Sequence, residues 1–388
     1  MEANKQIELV KRALAHVAAR TTDADLERGP TTLRAATYLG DARLEREQER
    51  IFRSLPLVVA HSSMLLAPGD FVTHDLSGIP LLVVRGDDGE VSAFLNVCRH
   101  RGTRVEQLPC GSGKKAFVCP YHSWSYARDG HLLGIPHADG FAGIDEAQRG
   151  LVRVPAGEAA GLVFVRASRA TSETDARLDT RSFLGPLADD LEGFGLGTSH
   201  VYDVRTYTKE MNWKLAFDIF LEAYHLRTAH KDSIYPIFFD NIGLVDLVGP
   251  HRRTVFPKRS IRELAGQPDE VLGTTLRKHA NVLFHVFPNT LVLVQPDHAA
   301  VFHAFPDGPT RTRFTSYTAV PEAPLTPKAR AHWDANNAIL YGATDEDFAL
   351  GESIQRGLAS GANDELVFGA FEHALAHFHD EVARRVAD

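Results

Sequence analysis

Apolar residues at Ile7, Val10, Leu14 and Val17, with charges between them, recur at the spacing of one helical face and predict an amphipathic N-terminal helix. A second helical stretch, around Leu44 to Phe52, gives way to Pro, Gly and short β-rich runs. FVTHDL, PLLVVRG and VSAFLNV read as antiparallel strands, with GDDG at 86–89 turning the chain between the last two. The strand pattern continues through FVCPYHSWSYA, LVRVP and GLVFVRA and stops at SRATSETDARLD, whose small and polar residues predict a linker beginning near residue 168. Beyond it, helical patterns at 184–194, 210–229, 325–341, 344–359 and 365–385 surround the strands NTLVLVQ, AVFHAF and TRFTSYTAV. The expected organisation is a helical segment over 1–44, an antiparallel β domain over 45–168, and a domain over 169–388 with helices packed over an antiparallel β-sheet. The fold class is α+β.

Composition narrows the function. Across 388 residues, 42 Lys and Arg stand against 50 Asp and Glu, and no dense basic stripe marks a nucleic-acid footprint. No apolar run approaches the ~18–20 residues of a membrane span, and the N-terminus lacks the unbroken apolar core of an export signal. Three cysteines do not make a disulfide framework, so a cytoplasmic location is expected, with thiols reduced and available to metals.

Those thiols carry the first chemical signal. Cys98-x-His100 and Cys119-x-x-His122 each follow a predicted strand, so two hairpin loops can meet at their tips. Two thiolates and two imidazoles suit zinc, or a [2Fe–2S] cluster with two Cys on one iron and two His on the other. Each loop offers one Cys and one His, whereas zinc fingers usually segregate them. CRHRG followed by CPYHSW resembles the ligand loops of Rieske proteins, and the resemblance implies the iron–sulfur cluster. Cys110, in a turn between the loops, reads as an unbonded thiol, and the amides of Arg101, Gly102 and Trp124 are candidates to donate to the cluster sulfurs. Ser123 stands where these loops more commonly have Gly, at a turn that needs positive φ.

The second signal lies in NWKLAFDIFLEAYHLRTAH at 212–230, which carries Glu222, His225 and His230 on an apparent helix. Glu222 and His225 are i,i+3 neighbours, but five residues along a regular helix turn His230 about 140° from His225. The two imidazoles converge only where the helix ends or bulges. N-W-K-L…E-x-Y-H-x-x-x-x-H resembles the iron-binding segment of ring-hydroxylating oxygenase α subunits.

That resemblance spans both domains and implies a 2-His-1-carboxylate site for mononuclear non-haem Fe(II), built from His225, His230 and, by likeness to EDFALGESIQRGL, Asp347. Asp345, Glu346 and Asp364 are the other candidate carboxylates, and Thr344 to Asp347 also fits a helix capping box. The resemblance gives Glu222 the role of linking a cluster histidine of one subunit to an iron histidine of the next in a homotrimer. It also implies electrons from NAD(P)H through a flavin-dependent reductase or ferredoxin, and O2 as co-substrate. The family usually has Glu-Asn where this chain has Asp218-Ile219, which makes the iron surroundings more apolar. Phe217, Phe220, Phe238, Phe239, Leu283 and Phe287 are expected to line a pocket for an aromatic or other apolar substrate, as in aromatic hydrocarbon catabolism. Dihydroxylation and monooxygenation, including N- or O-demethylation, use the same metals and stay open. A Rieske electron carrier needs only the first domain and leaves the second without a role. A protein that keeps the fold after losing catalysis is the third reading.

Overall fold

The chain builds part of one unit, completes a second, and then returns to finish the first. A computed structural model describes residues 1–76 and 78–387. One unit runs from Gln48 to Gly185, and the other joins Met1–Glu47 to Pro186–Asp388.

The inserted unit is antiparallel β. Its five-stranded sheet has the order Arg153–Val154, Val91–Leu95, Ile79–Arg85, Phe71–Leu76, Cys110–Gly111. The GDDG turn closes with the Gly86 N–H donating to the Glu90 carbonyl at 2.8 Å, and Gly89 takes φ 81°, which glycine adopts without steric cost. Ala156–Ala159, Leu162–Val165 and Leu57–His61 form a three-stranded sheet. Phe117–Val118, Ser125–Tyr126 and Leu132–Gly134 form another, smaller than the long strand expected through FVCPYHSWSYA. Phe71, Leu82, Phe94, Phe117, Trp124 and Tyr126 pack into one apolar core that also encloses Cys98 and Cys119.

The stretch expected to be a linker belongs to this unit. The Ala156 N–H donates to the Ala176 carbonyl at 3.0 Å and the Leu178 N–H to the Ala156 carbonyl at 2.9 Å, while Arg166 pairs with Asp175 at 2.5 Å. The boundary therefore falls after Gly185 and not near 168.

The other unit is built on a seven-stranded antiparallel sheet, ordered His200–Lys209, Thr312–Val320, Ala299–Pro306, Thr290–Val294, Ala280–Val286, His251–Pro257, Leu244–Val248. The helix Ala3–Ala19 buries Leu9, Val10 and Ala13 and packs on the helix Asp269–His279. The strand Thr31–Arg34 pairs with Glu365–Phe368. The first 47 residues are thus part of this unit and not a separate segment.

Three helical expectations change. Residues 325–341 and 344–359 form one long helix, Pro327–Ala359, whose N-terminus is capped by Thr326 Oγ1 accepting from the Ala329 N–H. Residues 365–385 form the short strand first and only then the helix His373–Val386. Residues 210–229 are not one helix but two short ones, Leu215–Asp218 and Leu226–Ala229. Polar side chains break it: Asn212 Oδ1 accepts from the Lys214 N–H, and the Glu222 carboxylate accepts the N–H groups of Tyr224 and His225, offering the backbone partners outside a helix.

Candidate metal centres

The two Cys/His loops are built alike. In the first, the Cys98 N–H donates to the Thr103 carbonyl and the Gly102 N–H returns to the Cys98 carbonyl. In the second, Cys119 N–H donates to the Trp124 carbonyl and Ser123 N–H to the Cys119 carbonyl. Gly102 and Ser123, each four residues after its cysteine, both sit at positive φ, 83° and 59°. The turn therefore demands a left-handed residue in both loops, and the second meets the demand with serine at some conformational cost. The Gly102 amide, expected to face a sulfur, is spent on the Cys98 carbonyl.

Cys98 and Cys119 are buried, and His100 and His122 are half-buried with ring centroids 4.7 Å apart. Trp124 lies nearly parallel to His100 at 5.0 Å, fixing that ring's plane. The Tyr126 hydroxyl accepts from the Arg99 N–H at 2.9 Å and lies 3.2 Å from Cys98 Sγ, to which it can donate its proton. Burial pushes the Cys119 thiol up, as expected for a group that ionises only beside a compensating cation. His122 Nδ1 is buried with no hydrogen-bond partner. Two buried thiols and an orphaned imidazole nitrogen fit a metal cluster. Cys110 is exposed on its short strand and lies outside the buried cysteine pair.

In the other unit, His225, His230 and Asp347 form a group whose ligand atoms all lie within 4.8 Å of one another, the one such group among the described residues. The short helix Leu226–Ala229 ends before His230, which takes φ −109° and ψ 25°. That ending turns imidazoles five residues apart toward each other, with ring centroids 5.1 Å apart. Asp347 projects from the middle of the long helix, buried, with Oδ1 2.9 Å from His230 Nε2 and 3.6 Å from His225 Nε2. Despite these distances, Oδ1 has no hydrogen bond of acceptable geometry. Burial raises the Asp347 carboxyl against the pull of the two histidines. A buried carboxylate oxygen and two imidazole nitrogens converge without satisfying one another, and a divalent cation fits that donor set.

The outer nitrogens are held by carboxylates. His225 Nδ1 bonds Glu222 Oε1, and His230 Nδ1 bonds Glu346 Oε2 at 2.6 Å, where Ser233 Oγ also donates at 2.7 Å. Such bonds select the tautomer that leaves Nε2 free to accept or ligate. Glu346, a candidate ligand by sequence, instead grips His230 from outside the group. Asp345 and Asp364 are exposed and do not join it. The Thr344 to Asp347 capping box does not form, because these residues lie inside the long helix and Thr344 Oγ1 donates to the Leu340 carbonyl. Asp218 is occupied elsewhere, accepting from the Tyr38 hydroxyl at 2.6 Å and meeting His379 Nε2 at 2.9 Å.

Beside the group opens a pocket enclosing about 600 Å³, including the solvent at its mouth. Of the six residues expected to line it, Phe220, Phe238 and Leu283 do so. Phe217 and Phe287 instead pack on Phe378 in the core, and Phe239 lies under Arg262. Ile219, Phe256, Leu293 and Leu340 also line the pocket. The chain neighbours of Phe256, Leu293 and Leu340 are equally apolar, so only the tertiary fold selects among them. Asn281 and Thr344 are its neutral polar members.

A β unit with paired Cys/His loops and an α+β unit with a 2-His-1-carboxylate group beside an apolar pocket define the oxygenase component of a Rieske non-haem iron system. Residues 56–149 match the Rieske [2Fe-2S] domain, and residues 196–388 match the ring hydroxylating alpha subunit (catalytic domain). The chain belongs to this family of α subunits, oxidoreductases that incorporate O2, and carries the domains for both the [2Fe–2S] cluster and the mononuclear iron. It is 29% identical over 384 residues to the carnitine monooxygenase oxygenase subunit of Escherichia coli K12, covering 92% of this chain and 94% of the relative. It is 31% identical over 244 residues to the chlorobenzene dioxygenase subunit alpha of a Cupriavidus strain, covering 61% and 54%. The fold is that of a quaternary ammonium Rieske monooxygenase solved in complex with L-carnitine, with TM-score 0.77 at 24% identity over 92% of this chain and 96% of that one. Among the described residues no helix is long and apolar enough to cross a membrane.

Proposed function

We propose that this protein oxidises a largely apolar, uncharged substrate, aromatic rings included, with O2 and with electrons drawn from NAD(P)H through a reductase or ferredoxin. In this reading Cys98, His100, Cys119 and His122 hold the cluster, and His225, His230 and Asp347 hold the iron. When bound, the cluster supplies single electrons and the iron activates O2. Glu222 and Glu346 orient the two imidazoles, and in a head-to-tail homotrimer Glu222 also faces the neighbouring subunit. The phenylalanine and aliphatic walls exclude water and hold the substrate.

The observation that carries this reading is the lining of the pocket. It includes no Lys or Arg, and its two carboxylates are committed, Glu222 by its bond to His225 and Asp347 as a proposed iron ligand. An anionic substrate would lose its hydration without gaining a counter-charge. A second reading, oxidation or demethylation of a quaternary ammonium compound, is favoured by the likeness to carnitine monooxygenase. Phe220, Phe238 and Phe256 in the pocket offer aromatic faces to such a cation.

The deciding experiment reconstitutes the holoenzyme with a reductase and measures O2 uptake coupled to product across neutral aromatics, methylated amines and carnitine. Coupled turnover of neutral aromatics, with carnitine inert, is the expected result. Turnover confined to cationic or zwitterionic compounds would overturn the proposal in favour of the second reading.

A further inference from the structure

Gly243 is a glycine that its own backbone does not require. It stands just before the edge strand Leu244–Val248, and its φ lies outside the left-handed region that many of the chain's other glycines occupy. A glycine beside a strand often marks a place where another group comes close. Here that group is an aromatic ring. Leu244 pairs with Val255, so the next step of the register sets Gly243 beside Phe256. A Cβ on Gly243 would lie 3.2 Å from Phe256 Cε1 and 3.5 Å from Cδ1, the first of these closer than side chains normally pack.

Phe256 lines the pocket, and Gly243 is not among the lining residues. Of the strand His251–Pro257, Phe256 is the one residue that is not buried, so its ring borders free space. Its neighbour on the other adjoining strand, Asn281, lines the same pocket. The ring also packs against the buried cluster of Ala223, Leu226 and Phe238. Pressed from the side of Gly243, it meets packed side chains that do not take up extra volume, and it yields toward the cavity.

We propose that Phe256 is a specificity-determining residue whose ring sets the largest apolar substrate the pocket admits, and that Gly243 is a positioning residue that lets the ring lie back from the cavity. The inference rests on the apolar-substrate reading and adds size as its criterion. Gly243 acts only through Phe256, so substitutions at the two positions are coupled. The limit is one-sided, because a ligand that is too large meets overpacking whereas one that is too small only loses contacts.

Toluene, naphthalene and phenanthrene form a graded series of neutral apolar ligands. In calorimetric titration of the holo protein, Gly243→Ala should weaken the largest member that the wild type binds by about tenfold or more, and smaller members by less than about threefold. Phe256→Ala should tighten that largest member or admit the next one. In the double variant, Gly243→Ala with Phe256→Ala, the effect of Gly243→Ala should vanish. Phe256→Leu, which keeps an apolar side chain on the strand, should relieve the effect in part and guards against misfolding of Phe256→Ala. A Gly243→Ala effect that is absent, that is equal for small and large ligands, or that survives loss of the Phe256 ring would overturn the roles of both residues while leaving the apolar reading intact. So would a size limit that neither Phe256 variant moves. Failure of all three ligands to bind the wild type would overturn the apolar reading, and this inference with it.

Discussion

At the scale of single residues, the two metal regions make different demands on their side chains. In the cluster loops the demand is conformational. Open space surrounds the position that a Cβ on Gly102 would take, so Gly102→Ala would cost only the left-handed backbone, about 1 kcal/mol, whereas Ser123→Gly should return a similar amount. Thermal unfolding followed by cluster absorbance should show the two midpoints moving in opposite directions. In the proposed iron site the demand is chemical. Asp347→Asn removes the charge of a proposed ligand and should lower the iron content from three to two per chain with the cluster spectrum intact. Glu346→Gln should keep three irons but bind the mononuclear one about 10–100-fold more weakly, because it alters only the grip on His230. Iron analysis after graded dialysis against a chelator separates the two variants.

At the scale of elements, a buried ion pair anchors the segment that carries His225 and His230. Lys214 Nζ lies 2.8 Å from Glu47 Oε1, both side chains are fully buried, and Trp213 Nε1 and Arg43 Nε also donate to the same carboxylate. The helix Asp41–Glu47 is thereby tied to the start of the segment. Lys214→Met leaves a buried carboxylate short of its main partner and should cost about 3–5 kcal/mol in urea unfolding, and adding Glu47→Gln should restore part of it. The sequence made the Cys/His spacing, the strands of the β unit and the His225–His230 pair readable, because each is a local pattern. The break between Asp218 and Leu226 was not, since apolar periodicity continues through it and only the backbone N–H groups that bond to the Glu222 carboxylate interrupt the helix there. The stretch at 168–179 read as a linker because its pairing with Ala156 is remote in sequence and leaves no trace in composition. Glu346 was named among the candidate ligands, but its role was unreadable for a similar reason, since it comes from His230, a partner that only the folded chain supplies.

At the scale of the molecule, the returning unit is held across its own sequence gap by charge as well as by apolar burial. Asp246, on the edge strand Leu244–Val248, meets Arg253 at 2.6 Å, Arg12 at 2.7 Å and Lys5 at 3.0 Å, the last two from the N-terminal helix. Burial pushes this carboxyl up, yet the three cations outweigh it and hold it at about 2, below the ordinary value of 3.8. A depressed acid contributes its stability in full above its unfolded pKa and loses it as pH falls through the folded one. Acidification from about pH 4 to pH 2 should therefore remove about 2 kcal/mol, and Asp246→Asn should flatten that part of the stability profile. The chemical-denaturation midpoint as a function of pH checks both statements. The interrupted path of the chain also orders its assembly on the ribosome. The helix Ala3–Ala19 emerges first, but the helix it packs on, Asp269–His279, is among the later segments made. The inserted β unit has all its strands by Val165 and can close, and take up its cluster, while the earliest residues still wait with Leu9 and Val10 uncovered. Nascent chains long enough for residue 185 to have cleared the ribosome, but arrested before Asp269, should thus already protect the cluster loops from protease and leave the first 47 residues open to cleavage.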